Sequence, residues 1–456
     1  MNARAKIAVY APSVKLGYRD LLAVNAFQEI AARFDVVWLF SGSVPAIGIE
    51  KDARVKLIPT SNIRNRFWLG LHSLVRYEFD TLIFGGRQRK PTIGLRRLDQ
   101  LILASIIRSG LSGLARRVLK FGLDVTTPDL SEPLRDCDGL VCFGSAKDML
   151  FDDLVRASRK ASIPVIMVPL NWDNATSKPY IERPGLVLTW GEQTAELSAS
   201  LHGIRSLPIG SPRFDFYRDF PLPTPSEAKL RLGLPAHSRY ILFAGAGFPF
   251  VELETLRRLS DSLERAGLRD MRILYRPHPY SWKGFSKSSL GPDLATKIVF
   301  DPSLEVFAKD DMRQYAYLFP AISALITPFS TIAVEAAFHR IPTLCIAFDD
   351  PSHKVFDWKL NAQHQPHLRI FDDESWPLKC YESDDLEPLF TLLLASLDDP
   401  ALRESASRVF HRIVHTAEMR YVDRLCEVVE LELKGQCLPE SPPSRPRESR
   451  SSSSAA

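Results

Sequence analysis

Two short segments hold the side chains best suited to gripping an anion. Ser330-Thr331 stand between the apolar run Ala324 to Thr327 and the helical pattern Ile332 to Phe338. A hydroxyl there either caps the helix or joins the free N–H groups and the helix dipole in holding a phosphate. Glu335, one turn further on, is either a helix-surface carboxylate or an acceptor for ribose hydroxyls in the same cleft. The second segment, Arg276-Pro-His-Pro279, follows the strand-like run Met271 to Tyr275. Its two prolines stiffen the turn and fix where the imidazole of His278 points. Arg276 and His278 at a strand's carboxyl end lie where ligands of open α/β sheets collect. Together they can stabilise growing negative charge on a leaving phosphate without a metal ion. Gly245 and Gly247, in Ala244-Gly-Ala-Gly-Phe248, allow backbone to approach a ligand. They do not form the Gly-x-Gly-x-x-Gly fingerprint, and no Walker motif occurs.

A second group lies earlier in the chain. Asp173 falls in the loop after the run Pro164 to Leu170 and is a candidate general base; the alternative is an Asx-turn with Trp172 as packing. Asn171, Asn174 and Lys178 share that loop, and Lys178 is placed to meet a phosphate. Glu192, after Leu186 to Trp190, is a second candidate base or a helix cap. Gly210 and Ser211 are expected to line a cleft floor. No metal site is expected: Asp349-Asp350 are the nearest adjacent acids and read as a solvated loop pair.

The elements that position these residues follow an α/β rhythm. Strand-like runs fall at Lys6 to Ala11, Asp35 to Phe40, Val55 to Pro59, Gly139 to Phe143, Pro164 to Leu170, Leu186 to Trp190 and Ser206 to Ile209. Helical spacing occupies Leu21 to Ala32 and Phe151 to Ser162. At 219–226 three prolines break the rhythm and mark a linker. The alternation restarts with Tyr240 to Ala244, Met271 to Tyr275, Lys297 to Phe300, Ala324 to Thr327 and Pro342 to Phe348, then closes with helical patterns at Asp385 to Ser396 and Pro400 to Leu433. The expected organisation is two doubly wound Rossmann-like domains, 1–218 and 227–434. A Ser/Pro/Arg-rich tail, 435–456, is too polar to fold.

The 456 residues suit two domains, and 45% apolar with 25% charged residues is ordinary for a globular chain. A net charge of +4 argues against a nucleic-acid binder. The six cysteines lack metal-ligand spacing and read as buried, reduced thiols. No signal-peptide h-region or apolar run of about 18 residues is present, so a cytoplasmic setting is expected. One stretch stands apart. From Arg87 to Lys120 there are nine Lys or Arg and one acid, Asp99. Leu98, Leu101, Ile102, Ile106, Leu111, Leu114 and Leu119 are interleaved with them. This basic helical insertion, about 87–121, is either an amphipathic pair lying on an anionic inner membrane surface or a core-packed excursion with a solvated face.

In order and spacing, five segments resemble bacterial GT-B glycosyltransferases of surface polysaccharide assembly. The wider group takes in CDP-glycerol glycerophosphotransferases and the Kdo and sialic acid transferases. The segments are Asn171-Trp-Asp-Asn-Ala-Thr-Ser-Lys178, Thr189-Trp-Gly-Glu192, Ile209-Gly-Ser-Pro-Arg-Phe-Asp215, Arg276-Pro-His-Pro279 and Ser330-Thr-x-x-x-Glu335. The resemblance implies two domains facing across a cleft, with the nucleotide-sugar on the second domain. It implies that His278, Ser330 and Thr331 contact donor phosphate and that Glu335 holds the ribose. The donor is then a substrate of CMP or UDP type, no cofactor is needed, and the acceptor is a glycan or lipid-linked sugar. The paired-acid-plus-glycine motif of sialyltransferases is missing from the first domain. A nucleotide-sugar 2-epimerase, a CDP-alditol phosphotransferase and a non-catalytic nucleotide-sugar-binding partner are the alternatives. The epimerases' glycine pair after the serine and adjacent glutamates are replaced here by Thr331 and Ala336.

Overall fold

The computed structural model describes residues 4–11, 15–41, 54–58, 62–84, 105–106, 109–127, 129–247, 250–278, 290–308, 311–348 and 357–436. Pro279, Asp349-Asp350, most of the basic stretch before Ser109 and the tail from Cys437 lie outside them.

Short runs of buried apolar residues make two all-parallel sheets. The first has the order β3-β2-β1-β4-β5-β6-β7. Its strands are β1 (Lys6–Tyr10), β2 (Asp35–Ser41), β3 (Val55–Ile58), β4 (Gly139–Gly144), β5 (Val165–Pro169), β6 (Leu186–Thr189) and β7 (Arg205–Pro208). The second runs β10-β9-β8-β11-β12-β13, from β8 (Arg239–Ala244), β9 (Met271–Arg276), β10 (Ile298–Phe300), β11 (Ala324–Pro328), β12 (Thr343–Ile346) and β13 (Leu378–Cys380). Strands β4, β5, β6, β11 and β12 are buried throughout, because helices cover both faces of a parallel sheet. In each sheet the strand order reverses once, between β1 and β4 and between β8 and β11. Crevices at the carboxyl ends beside such reversals are where doubly wound folds take ligands.

Three elements differ from the sequence expectation. The pattern Leu21 to Ala32 is two helices, Lys15–Ala23 and Ala26–Arg33, because Asn25 sits left-handed at φ 53°. The pattern Pro400 to Leu433 is likewise two, Pro400–Ile413 and Tyr421–Leu433. The last of these does not belong with the second sheet, as the 227–434 boundary supposes. Tyr421, Val422, Leu425, Cys426 and Val429 complete the core of the first sheet with Phe27 and Trp38. The linker itself is short: the helix Pro212–Asp219 ends, and Thr224 and Glu227 form a capping box for Pro225–Arg231.

The domains meet along a buried aromatic seam. Trp172, Trp190, Phe214 and Tyr217 of the first share one apolar cluster with Phe319, Phe371 and Phe410 of the second. Phe214 lies 5.6 Å from Phe338 and 4.9 Å from Phe410, ring centre to ring centre.

Candidate functional site

On the second domain, three neighbouring strands deliver their loops to one crevice. β8 ends at Gly245-Ala246-Gly247, β9 at Pro277-His278, and β11 at Phe329-Ser330. Ser330 is the N-cap of the helix Thr331–Phe338, yet its side chain makes no capping bond. Its Oγ instead lies 3.3 Å from Thr327 Oγ1. Ser330 and Thr331 are half-buried at the helix N-terminus, beside the point where the strand order reverses. His278 is half-buried and leans on Gly247, where an added Cβ would sit 3.0 Å from the ring Cε1. His278, Gly247, Ser330 and Thr331 thus come from the adjoining strands β9, β8 and β11.

Three expected members of this pocket are engaged elsewhere. Arg276 is buried, with Nη1 donating to Asp301 Oδ2 at 2.5 Å and to Ser303 Oγ at 2.9 Å, and Nη2 donating to Gln314. It stacks on Tyr315 at 4.6 Å and holds the pocket wall rather than a phosphate. Glu335 is also buried: Arg213 Nη1 donates to its Oε1 at 2.7 Å and the Tyr217 hydroxyl to its Oε2. Its carboxylate faces the first domain, not an open ribose site. Gly245 is small because Glu252 fills its side: a Cβ there would lie 2.6 Å from Oε2, and Glu252 accepts from Ala246 N at 2.7 Å.

The first-domain loop lies across the seam. Trp172 packs edge-on against His367 at 4.8 Å and against Phe371 at 6.1 Å, and Phe371 lies 5.8 Å from Phe329, next to Ser330. Gln193 Nε2 donates to the His367 carbonyl at 2.7 Å. Ring contacts therefore join the residue before Asp173 to the residue before Ser330. Asp173 Oδ2 accepts from Ser177 Oγ at 3.0 Å. Burial pushes its carboxyl up, but Lys178, His367 and the Ser177 hydroxyl outweigh this, and the net shift is downward. Asp173 is thus held as a carboxylate, the form a base needs. Lys178 donates to Asn174 Oδ1, and its ammonium is lowered by burial and by nearby Arg76 and Lys147, against the opposing pull of Asp173. Asn171 is exposed at the loop's start.

Glu192, Gly210 and Ser211 are not gathered here. Glu192 is exposed in the first turn of the helix Glu192–His202, where Gly191 is the N-cap, and it feels His415. Gly210, at φ 85°, is pressed against the returning chain, where a Cβ would meet the His415 carbonyl at 2.6 Å. Ser211 is buried at the start of Pro212–Asp219, and its hydroxyl has no hydrogen-bond partner. The segment 209–211 therefore seats the C-terminal crossing and is not a cleft floor.

Sequence reasoning passed over Arg213, although it stands inside one of the five motifs. Its Nε and Nη2 donate to Asp20 Oδ2 at 2.8 and 2.6 Å while Nη1 reaches Glu335. Arg19 continues the chain, donating to Asp20 Oδ1 at 3.0 Å and to the Tyr315 hydroxyl at 3.2 Å. In sequence Arg213 stands between Pro212 and Phe214, and its near acid, Asp215, accepts from Tyr421 N instead.

No protein-family model matches the chain, and neither does any curated protein sequence. Solved structures do. The calicheamicin glycosyltransferase CalG4 superposes with a TM-score of 0.51 at 13% identity, covering 96% of this chain and 100% of its own. The fold is GT-B. The wall teichoic acid polymerase TagF, soaked with CDPG, gives a TM-score of 0.49 at 12% identity over 95% of this chain and 90% of that one. A UDP-N-acetylglucosamine 2-epimerase from Rickettsia bellii gives 0.46 at 12% identity over 95% and 98%. In this fold the Ser330 helix end and the Asp173 loop are linked across the domain seam through the rings of Phe329, Phe371 and Trp172.

Proposed function

We propose that the protein is a glycosyltransferase that moves a sugar from a nucleotide-activated donor, of CMP or UDP type, to a glycan or lipid-linked acceptor of surface polysaccharide assembly. One observation carries this reading: the uncapped helix end at Ser330, flanked by His278, sits across an aromatic seam from an ionised Asp173. The helix end and His278 hold the donor phosphates as negative charge grows on the leaving group, and no metal is required for that. Asp173 takes the proton from the attacking acceptor hydroxyl. Arg276 and Glu335 act at one remove, fixing the walls of the donor pocket.

The test is Asp173→Asn, assayed for transfer alongside nucleotide binding. Transfer should fall by about a hundredfold or more while nucleotide binding is unchanged. Because the carboxyl is held below its usual value, turnover limited by its protonation should decline only below about pH 4. Unchanged turnover in Asp173→Asn removes Asp173 as the base. Conversion of the donor into an isomeric nucleotide-sugar, with no nucleotide released, indicates an epimerase; nucleotide binding without turnover in the wild type indicates a binding partner.

A further inference from the structure

The helix Ser112–Thr126 carries two different apolar faces. Leu119 and Leu123 turn inward, onto Phe67, Trp68 and Leu71 of the helix Asn62–Ile83. The two helices approach closely because two contacts are made by glycine: a Cβ at Gly70 would lie 3.1 Å from Leu119, and one at Gly122 2.5 Å from Phe67. With that side committed, Leu111, Leu114, Val118, Phe121 and Val125 are left outside. Their spacing of three and four residues puts them on one stripe, and all are between 52% and 71% exposed. Scattered exposed leucines are ordinary, but five large apolar side chains in one helical row are not. The neighbouring helix adds Ile63 and Leu69, also exposed.

The surrounding charge is basic. Arg116, Arg117, Lys120 and one exposed acid, Asp124, which pairs with Arg156, lie on the same helix; Arg66 is exposed on its neighbour, and the sequence leading in from Arg87 is strongly basic. Arg116 and Lys120 pair with Glu78 and Glu182 but stay half-exposed. Among the described residues no helix is long and apolar enough to cross a membrane. An apolar row flanked by cations suits the plane of a bilayer, with the side chains in the acyl boundary and the cations at anionic headgroups.

We propose that the stripe Leu111, Leu114, Val118, Phe121 and Val125 docks this protein on an anionic lipid surface. The helix pair is also fastened to the Asp173 loop: Arg76 Nη1 donates to the Ser177 carbonyl at 2.8 Å, and Lys120 bonds Glu182 at 3.1 Å. Docking would therefore set that loop, four residues from Ser177, at a fixed position over the lipid surface. The proposal stands independently of the transfer reaction, because it rests on the outer face of the pair alone.

The test is co-sedimentation of the full chain with vesicles of phosphatidylcholine, with and without phosphatidylglycerol. Binding should be stronger to the mixed vesicles and should weaken with salt. Leu114→Ser, Val118→Ser and Phe121→Ser combined should lower vesicle partitioning by about a hundredfold, from the lost apolar burial. The melting temperature should move little, since these side chains are more than half exposed. Leu119→Ser, on the inner face, should lower the melting temperature. Absence of wild-type binding to the mixed vesicles overturns the proposal, as does undiminished binding by the triple variant. A concentration-dependent dimer that the triple variant disperses, without vesicle binding, assigns the stripe to a second copy and also overturns it.

Discussion

Arg213→Met should destabilise the protein by about 3–5 kcal/mol, the usual cost of removing one partner from a buried ion pair. Arg213 is 6% exposed and serves two carboxylates, Asp20 in its own domain and Glu335 in the other. Among the described residues, removing it leaves Glu335 hydrogen-bonded to the Tyr217 hydroxyl, and Asp20 to Arg19. Burial alone would raise the Asp20 carboxyl, yet Arg213 and Arg19 hold it below its usual value. The sign follows. A depressed carboxylate contributes stability above its unfolded pKa and loses that contribution as pH falls through the folded value. The Arg213→Met penalty should therefore be full near neutrality and shrink in acid. Adding Glu335→Gln to Arg213→Met, with Asp20 kept as the partner of Arg19, should recover part of the loss, because position 335 then no longer buries a carboxylate without a cation. Urea unfolding at neutral pH measures both effects. A loss of about 1 kcal/mol or less would place the network among weakly contributing surface pairs.

His278→Ala should weaken nucleotide binding by about tenfold to a hundredfold, equivalent to one hydrogen bond to a charged group. The apo melting temperature should move little. The ring is half-buried and lies against Gly247 just beyond the end of β9, outside the apolar core clusters. Gly247→Ala offers a second handle, since its Cβ would force the imidazole to shift by a few tenths of an ångström. Calorimetric titration with the nucleotide that binds best reads the affinity, and differential scanning of the apo protein reads the stability. A large drop in apo stability with unaltered affinity would make His278 a structural histidine.

What could be read from the sequence was whatever depends on near neighbours. Twelve of the thirteen strands among the described residues stood out as short runs bounded by turns, most of them apolar because helices cover both faces; β3, β7 and β10 are only part-buried. The thirteenth, Leu378–Cys380, is too short to stand out. Ser330 and His278 stood out for the same reason: a hydroxyl pair before a helical pattern and a proline-bracketed turn are local features, although whether Ser330 caps its helix was not legible. The partners of buried charges were not. Asp301 lies 25 residues beyond Arg276, Glu335 is 122 residues from Arg213, and Asp20 is 193 residues from it. An arginine and a glutamate near a ligand crevice look identical in sequence whether they face ligand or each other. Gly245 misleads in the same way, because a glycine that admits a carboxylate reads like one that admits a phosphate. In the 111–125 helix the apolar count was visible, but which leucines face inward depended on Gly70 and Gly122.

The central claim is that the crevice at Ser330 and His278 holds a nucleotide. The most direct test is the melting temperature of the full chain with UDP, GDP, CMP, CDP and their sugar or alditol conjugates. A ligand of the folded state at about a hundred times its Kd adds roughly 2.7 kcal/mol of stability, a shift easily resolved. At least one of these nucleotides should give a saturable rise that His278→Ala loses. No rise with any of them, at millimolar concentration, would contradict the account.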